Sequence, residues 1–481
     1  MLNWIDRRTG FVTLAKDFLT EDIPGGASYW YVFGSATLFA MIVQIATGIF
    51  LTFFYAPSAA TAWESTKSMY DHPLQHAVLS IHYWGSSAMI ALVFMHLIQV
   101  VIWGAYKSPR ELQWIVGVLL LLVTMVLGLT GYLLPWDMNA YFASQVAINL
   151  TLTAPVVGSF IQQFAQDGTT MGTLTINRFF GLHVWLMPAA LIGLVGAHLA
   201  IFRWNGPAGP PVEDPRPLKQ GRFWPDQMFM DTVASFIVFA IILALAAFAP
   251  PFLDAKADPT KFFVPYPAWY FLDLFGLLNL VPGSLEVVGA LVIPGIATTI
   301  LVLLPWLDRS TTRTLGSRKP ILWALTVSMI IILSLSVWSQ MGIAAKQAEA
   351  AQNPATAPAA AAPRTTAAST VGASPRVAAG QTVYAQNCSS CHGADGQGNP
   401  GVFPPLAGNP FVTGDPKKVI GVLENGLQGP ISVNGKTYNG QMPAWKAQLS
   451  PKDIANVITY IRGGLGGNHA SAVSVKDLPK K

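Results

Sequence analysis

Cysteine is almost absent from this sequence. Two occur in 481 residues, Cys388 and Cys391, and both sit in a single Cys-x-x-Cys-His string. That excludes a disulfide framework and any iron–sulfur cluster held by several thiolates of this chain. Charge is scarce as well. Lys, Arg, Asp and Glu make up 11% of the residues, under half the roughly 25% of soluble globular proteins. Apolar residues reach 52%. A soluble domain of that composition would expose too much hydrocarbon, and disorder is excluded over most of the length. The net charge of +5 says less about partners than its placement does. No nucleic-acid partner is expected.

What is present instead is a set of long apolar runs. They lie near residues 30–54, 78–103, 112–134, 181–202, 232–249, 287–304 and 321–338. Crossing a hydrocarbon core of ~30 Å takes ~20 residues, so the runs predict seven spanning helices in lipid. Pro188 and Pro294 fall inside runs, which membrane helices tolerate. The first 28 residues are polar and mixed in charge, and no cleavable signal peptide is expected. With a cytoplasmic N-terminus, thirteen Lys and Arg fall on the cytoplasmic side. Four fall in the longer opposite loops: Lys67, Arg178, Lys256 and Lys261. The asymmetry supports that orientation. An odd helix count then places the C-terminus outside the cytoplasm of a bacterial inner membrane.

Four histidines carry the chemistry of these runs. His82 and His96 share the second run, His183 and His198 the fourth. Separations of 14 and 15 residues are ~21–22 Å, close to four whole turns, so each pair points one way. The second and fourth helices run parallel, which sets His82 level with His183 and His96 level with His198. Two bis-imidazole sites result, and haem iron takes such axial ligands. Gly34 and Gly48 repeat the 14-residue step on the first helix, Gly117 and Gly131 on the third. They are read as clearance for a flat macrocycle, against the alternative of ordinary helix packing.

Here the sequence resembles a family. Lys107-Ser-Pro-Arg-Glu-Leu112, Gly131-Tyr-Leu-Leu-Pro-Trp-Asp137 and Asn177-Arg-Phe-Phe-Gly-Leu-His183 look like the cytochrome b of quinol-oxidising bc-type complexes. The 15-residue step from His183 to His198 resembles the chloroplast-type bf branch. Helices five to seven resemble that branch's small membrane subunit, fused on. The resemblance implies two b haems, quinol oxidation at the outer face and quinone reduction at the inner. It also implies a Rieske iron–sulfur subunit, which must be a separate chain, a homodimeric complex and proton release outside.

Two departures from the family pattern matter. Its outer quinol site carries Pro-Glu-Trp-Tyr; this chain has Pro267-Ala268-Trp269-Tyr270 and lacks the carboxylate. Trp269, Tyr270 and Tyr132 are expected to shape the pocket, and Asp273 is the candidate proton acceptor, with Glu286 as another acid nearby. The bf branch also holds an extra inner haem on a Cys where this chain has Val32, so none is expected. Arg203, Lys219, Arg222, Asp226 and Asp231 are candidates for inner quinone contacts or plain cytoplasmic anchors. Arg178 is the candidate partner of a haem propionate.

Residues 343–376 hold 14 Ala and 4 Pro and predict a flexible tether. Polarity returns after it. Cys388-Ser-Ser-Cys391-His392 is the pattern of covalent c-type haem attachment, with His392 as proximal ligand. Met442 is the only Met after residue 341 and the expected sixth ligand. Gly440-Gln-Met-Pro-Ala-Trp445, the Pro404-Pro405-Leu406 loop and a helix near Asp453–Arg462 look like class I cytochrome c. The expected fold is all-α: a four-helix dihaem part (1–225), a three-helix part bearing the outer quinol loop (226–342), the tether (343–376) and the cytochrome c domain (377–481). The expected function is quinol–cytochrome c oxidoreduction, with a soluble cytochrome, a cupredoxin or a terminal oxidase as acceptor. A dihaem anchor of another quinone-linked dehydrogenase or hydrogenase, or a non-enzymatic transporter or scaffold, is the alternative.

Overall fold

The computed structural model describes residues 2–151, 153–154, 157–166, 171–211, 220–259, 263–281, 285–352, 375–388, 392–393, 396–398, 403–427, 429, 431–438, 442, 444–446 and 449–479. Among the described residues, seven helices are long and apolar enough to cross a membrane: α1 (Tyr29–Thr52), α2 (Pro73–Trp103), α3 (Glu111–Tyr132), α4 (Thr173–Asn205), α5 (Phe223–Phe248), α6 (Val288–Leu307) and α7 (Gly316–Ala345). Each coincides with one of the apolar runs. Pro188 and Pro294 lack an N–H to give the preceding turn. The chain opens there into one wide π-type turn, Leu182–Leu186 in α4 and Val288–Val292 in α6.

Helix α1 packs along α2, and α4 along α3, while α5 lies against both α1 and α2. Ala36, Ala40, Met41, Met89, Leu92 and Leu191 form the buried centre, with Leu120, Val123 and Leu127 of α3 against it. The small side chains on α1 let the helices approach closely.

The last three helices join the first four through a buried ionic cluster. Arg318, fully buried, donates from Nε to Asp308 Oδ2 at 2.9 Å and from Nη2 and Nη1 to the carbonyls of Val101 and Ile102 at the end of α2. Tyr106 Oη accepts from Arg318 at 2.7 Å and donates to Asp308 at 2.6 Å. Lys107 Nζ lies 3.2 Å from the same carboxylate. Gly104 closes α2 in the left-handed region, and a Cβ there would stand 2.9 Å from Arg318. On the opposite side, the loop after α5 is stitched to the loop after α3. Met138 N–H donates to Ala255 C=O, and Ala257 N–H to Trp136 C=O.

Strands are minor: β1 (Asp22–Pro24) pairs with β2 (Gln220–Arg222), and β3 (Ile431–Val433) with β4 (Lys436–Tyr438). The second ribbon turns on Asn434-Gly435, both at positive φ, as a tight hairpin requires. Helix continues past α7 to Gln352, so the expected tether begins helical; residues 353–374 lie outside the described residues. The C-terminal unit consists of α8 (Pro375–Asn387), α9 (Pro416–Asn425) and α10 (Pro451–Gly463). Asp415 and Ser450 cap the last two through their side chains, as N-cap residues do. Helices α8 and α10 cross with Tyr384 against Tyr460 and share one core with α9.

Burial works against Asp308, but hydrogen bonds from Ser310, Tyr106 and Arg318 outweigh it and hold the carboxyl below its usual range. A carboxylate with a depressed pKa contributes stability at neutral pH that is lost as the pH falls below about 4. Asp308→Asn leaves Arg318 buried without its counter-ion and should cost roughly 3–5 kcal/mol. A clearly lowered thermal midpoint of the detergent-solubilised protein at pH 7 checks this.

Candidate functional site

Two of the four membrane histidines meet as their spacing requires. His82 on α2 and His183 on α4 face each other, with ring centroids 6.2 Å apart and planes at 80°. An ion ~2 Å from each ring nitrogen fits between imidazoles at that separation. Their outer nitrogens are already engaged. His183 Nδ1 lies 3.1 Å from Leu127 C=O, an acceptor only, so Nδ1 carries the hydrogen and Nε2 keeps its lone pair. Thr47 Oγ1 donates to Val43 C=O at 2.7 Å and accepts from His82 Nδ1 at 2.9 Å, which fixes the same tautomer. Both rings thus have the Nδ1 hydrogen-bond partner that metal-binding histidines show. The Nδ1 atoms of His96 and His198 are buried and have no hydrogen-bond partner among the described residues.

Between the two His82/His183 and His96/His198 levels, α4 has one residue more than α2. Its π-type turn at Leu182–Leu186 holds one more residue than an α turn. That turn absorbs the surplus, so a 15-residue step on α4 matches a 14-residue step on α2.

The four glycines lie against the four histidines. Each faces one histidine. A Cβ at Gly48 would lie 3.3 Å from His82 Cε1, at Gly34 3.3 Å from His96 Cε1 and at Gly117 3.4 Å from His198 Cε1. At Gly131 it would lie only 2.6 Å from His183 Cε1. The missing side chains let each imidazole lie edge-on against the neighbouring helix, which orients the ring toward its partner level.

The loop after α5 places its aromatics on the same helices. Trp269 Nε1 donates to Ser87 Oγ on α2 at 3.2 Å, and Tyr270 Oη to Gly128 C=O on α3 at 3.3 Å. A Cβ at Gly128 would stand 2.9 Å from that hydroxyl. Tyr132 Oη donates to Tyr266 C=O at 3.1 Å. Asp273 follows on a short helix, Leu272–Leu280, where burial raises its carboxyl above the usual range. Among the described residues no hydrogen bond joins it to Tyr132, Trp269 or Tyr270. Glu286 is exposed. Asp137 is a second buried acid. Burial raises its pKa, while the N–H groups of Ala140 and Asp254 donate to its two oxygens at 2.8 and 3.2 Å.

Other candidates have structural partners. Arg178 donates to the carbonyls of Gln163 and Phe164 at the end of a surface helix. Arg203 pairs with Glu21 and lies over Phe18. Asp231 accepts from Ser35 and Gln227. Arg222 lies in β2. Lys219 and Cys391 lie outside the described residues.

In the C-terminal unit, Cys388 and His392 are buried. His392 Nδ1 donates to Pro404 C=O at 2.9 Å, which again leaves Nε2 for a metal. Desolvation lowers the pKa of His392, although that hydrogen bond opposes the shift. Met442 pairs through its backbone with Leu427 and packs on the α8–α10 core.

Sequence reasoning missed Thr47, Gly128, Asn139 and the carbonyls of Leu127 and Pro404. Carbonyls leave no trace in side-chain pattern, whereas the polar Asn139, two residues after Pro135-Trp136-Asp137, is a usable signal. Gly131→Ala should push His183 aside and lower the haem b content measured by pyridine haemochrome. Gly117→Ala, with its longer contact, should lower it less.

Family models match most of the chain: cytochrome b(N-terminal)/b6/petB over residues 87–256 and cytochrome b(C-terminal)/b6/petD over residues 256–356. Cytochrome C oxidase, cbb3-type, subunit III matches residues 375–461. The menaquinol:cytochrome c reductase cytochrome b subunit of Geobacillus thermodenitrificans is 39% identical over 219 residues, 44% of this chain and 98% of that protein. Cytochrome b of Allochromatium vinosum is 30% identical over 363 residues, 70% of this chain and 87% of its own. A chain of a hyperthermophilic respiratory Complex III superposes with a TM-score of 0.63 at 26% identity, covering 71% of this chain and 91% of that one. The histidine-bearing bundle and the Cys-x-x-Cys-His unit thus place this multi-pass membrane protein in the cytochrome b family, with a cytochrome c domain at its C-terminal end.

Proposed function

We propose that the chain is the membrane subunit of a quinol–cytochrome c oxidoreductase that works by a Q-cycle. The observation that carries this is the His82–His183 pair, 6.2 Å between centroids, with both Nδ1 atoms bonded to protein. His82/His183 would hold one b haem near the outer face and His96/His198 a second near the inner face. Cys388, Cys391, His392 and Met442 would hold one covalent haem c. When bound, these groups supply reversible one-electron iron chemistry.

The protein's own residues do the rest. Trp269, Tyr270 and Tyr132 shape an outer pocket for the quinol. Asp273, raised by burial, takes the proton that a Glu at position 268 takes in the family pattern. The apolar centre between the two histidine levels keeps water and protons out while charge crosses ~21 Å. One electron leaves for a Rieske protein on another chain, and the other for a quinone at the inner face. Two protons leave outside per quinol. The N-terminus is cytoplasmic, and the tether holds the cytochrome c domain outside at high effective concentration. That domain hands electrons to a soluble cytochrome, a cupredoxin or a terminal oxidase. A homodimer is the proposed assembly.

A redox difference spectrum of the purified complex tests this reading. Two haems b per haem c, with the b haems reduced by quinol, is the expected outcome, and a 1:1 ratio overturns it. Asp273→Asn should flatten the rise of quinol oxidation with pH; an unchanged profile removes Asp273 as the acceptor. Met442→Ala should lower the haem c midpoint potential, since an axial Met raises it.

A further inference from the structure

Tyr132, Asn139 and Tyr266 close a ring of three hydrogen bonds at the outer end of α3. Asn139 Nδ2 donates to Tyr132 Oη. Tyr132 Oη donates to Tyr266 C=O at 3.1 Å, and Tyr266 N–H donates to Asn139 Oδ1 at 3.0 Å. Both backbone groups of one loop residue are therefore gripped by two side chains.

Tyr266 is an unusual place to grip. Pro265 and Pro267 flank it, and proline has no N–H. Tyr266 supplies the only backbone donor in that three-residue stretch. Two residues later comes Ala268, then Trp269 and Tyr270, whose side chains reach Ser87 and Gly128. The bracket on Tyr266 fixes where this segment leaves for α2 and α3.

We infer that Asn139 is a positioning residue of the outer quinol site, one that sets the Trp269–Tyr270 wall through Tyr266. This rests on the quinol-oxidation reading above. The chemistry requires an amide. The bracket needs one donor for Tyr132 and one acceptor for Tyr266, and a carboxylate offers acceptors only, an aliphatic side chain neither. Asn139 is 6% exposed, so water is poorly placed to replace it. The ring also settles the part played by Tyr132. Its hydroxyl proton is committed to Tyr266 and its oxygen to Asn139, so it holds the loop and does not receive a quinol proton.

The test compares Asn139→Ala, Tyr132→Phe and the double variant in the intact purified complex. Each single variant should raise the quinol KM about tenfold, the scale of a displacement under 1 Å, with a smaller change in kcat. Haem b and haem c content and reduced spectra should stay as in the wild type. The double variant should be little worse than either single one, because both break the same ring. A KM within twofold of wild type in Asn139→Ala, or strictly additive effects, overturns the inference. If Asn139→Ala fails to assemble, Tyr132→Phe removes the same grip at the cost of one oxygen atom, and an unchanged KM there is equally decisive. A wild-type complex that does not oxidise quinol rejects the functional reading itself, which separates the two failures.

Discussion

A neutral imidazole can bind a metal inside a membrane only if Nε2 is kept away from every protein donor. The hydrogen on Nδ1 decides this, and at three histidines the chain supplies an acceptor for it, while the buried Nδ1 atoms of His96 and His198 have none among the described residues. His183 gives that hydrogen to Leu127 C=O, His82 to Thr47 and His392 to Pro404 C=O. Two unrelated folds in one polypeptide thus share one device. Much of the surrounding structure serves it. The acceptors sit on neighbouring elements, so those elements must lie close, and closeness requires glycine where the ring edge meets the backbone. Helix α1 serves α2 in this way, and α3 serves α4.

The Trp269–Tyr270 segment depends on a second constraint, because its bonds join both halves of the membrane part. Trp269 and Tyr270 belong to the segment after α5, yet they bond to α2 and α3. Such a segment needs the halves held in register at both faces. The Asp308–Arg318–Tyr106 cluster does this on one side and the backbone pairing of Trp136–Met138 with Ala255–Ala257 on the other. A buried ion pair is a poor source of net stability but a stringent one of geometry, and geometry is what this junction requires.

Much of this was legible in the residues. Seven apolar runs gave seven helices because the lipid requirement acts on composition alone. That His82 and His183 face each other followed from helical rise, and the cytochrome c domain from the Cys388–His392 string. The glycine spacing was legible too, but its reason was only half so. Clearance for a flat ligand and clearance for an imidazole edge leave the same 14-residue pattern, and the coordinates add that each glycine faces one histidine. The π-type turn in α4 was hidden for a similar cause, since a surplus residue and a shifted register look alike until the turn is seen. Bonds to backbone carbonyls, and the bracket around Tyr266, depend on which loops meet, and that is a property of the tertiary fold.

Leu127 and Gly128 are consecutive on α3. The carbonyl of the first holds His183, and the carbonyl of the second holds Tyr270. Neighbouring peptide groups in a helix cannot turn independently, because each is locked into the same hydrogen-bonded spiral. Tyr270 and the His183 ring are thus mounted on one rigid hinge pin. A displacement of Tyr270 therefore pulls on the mount of the His183 imidazole, and the two side chains are mechanically linked.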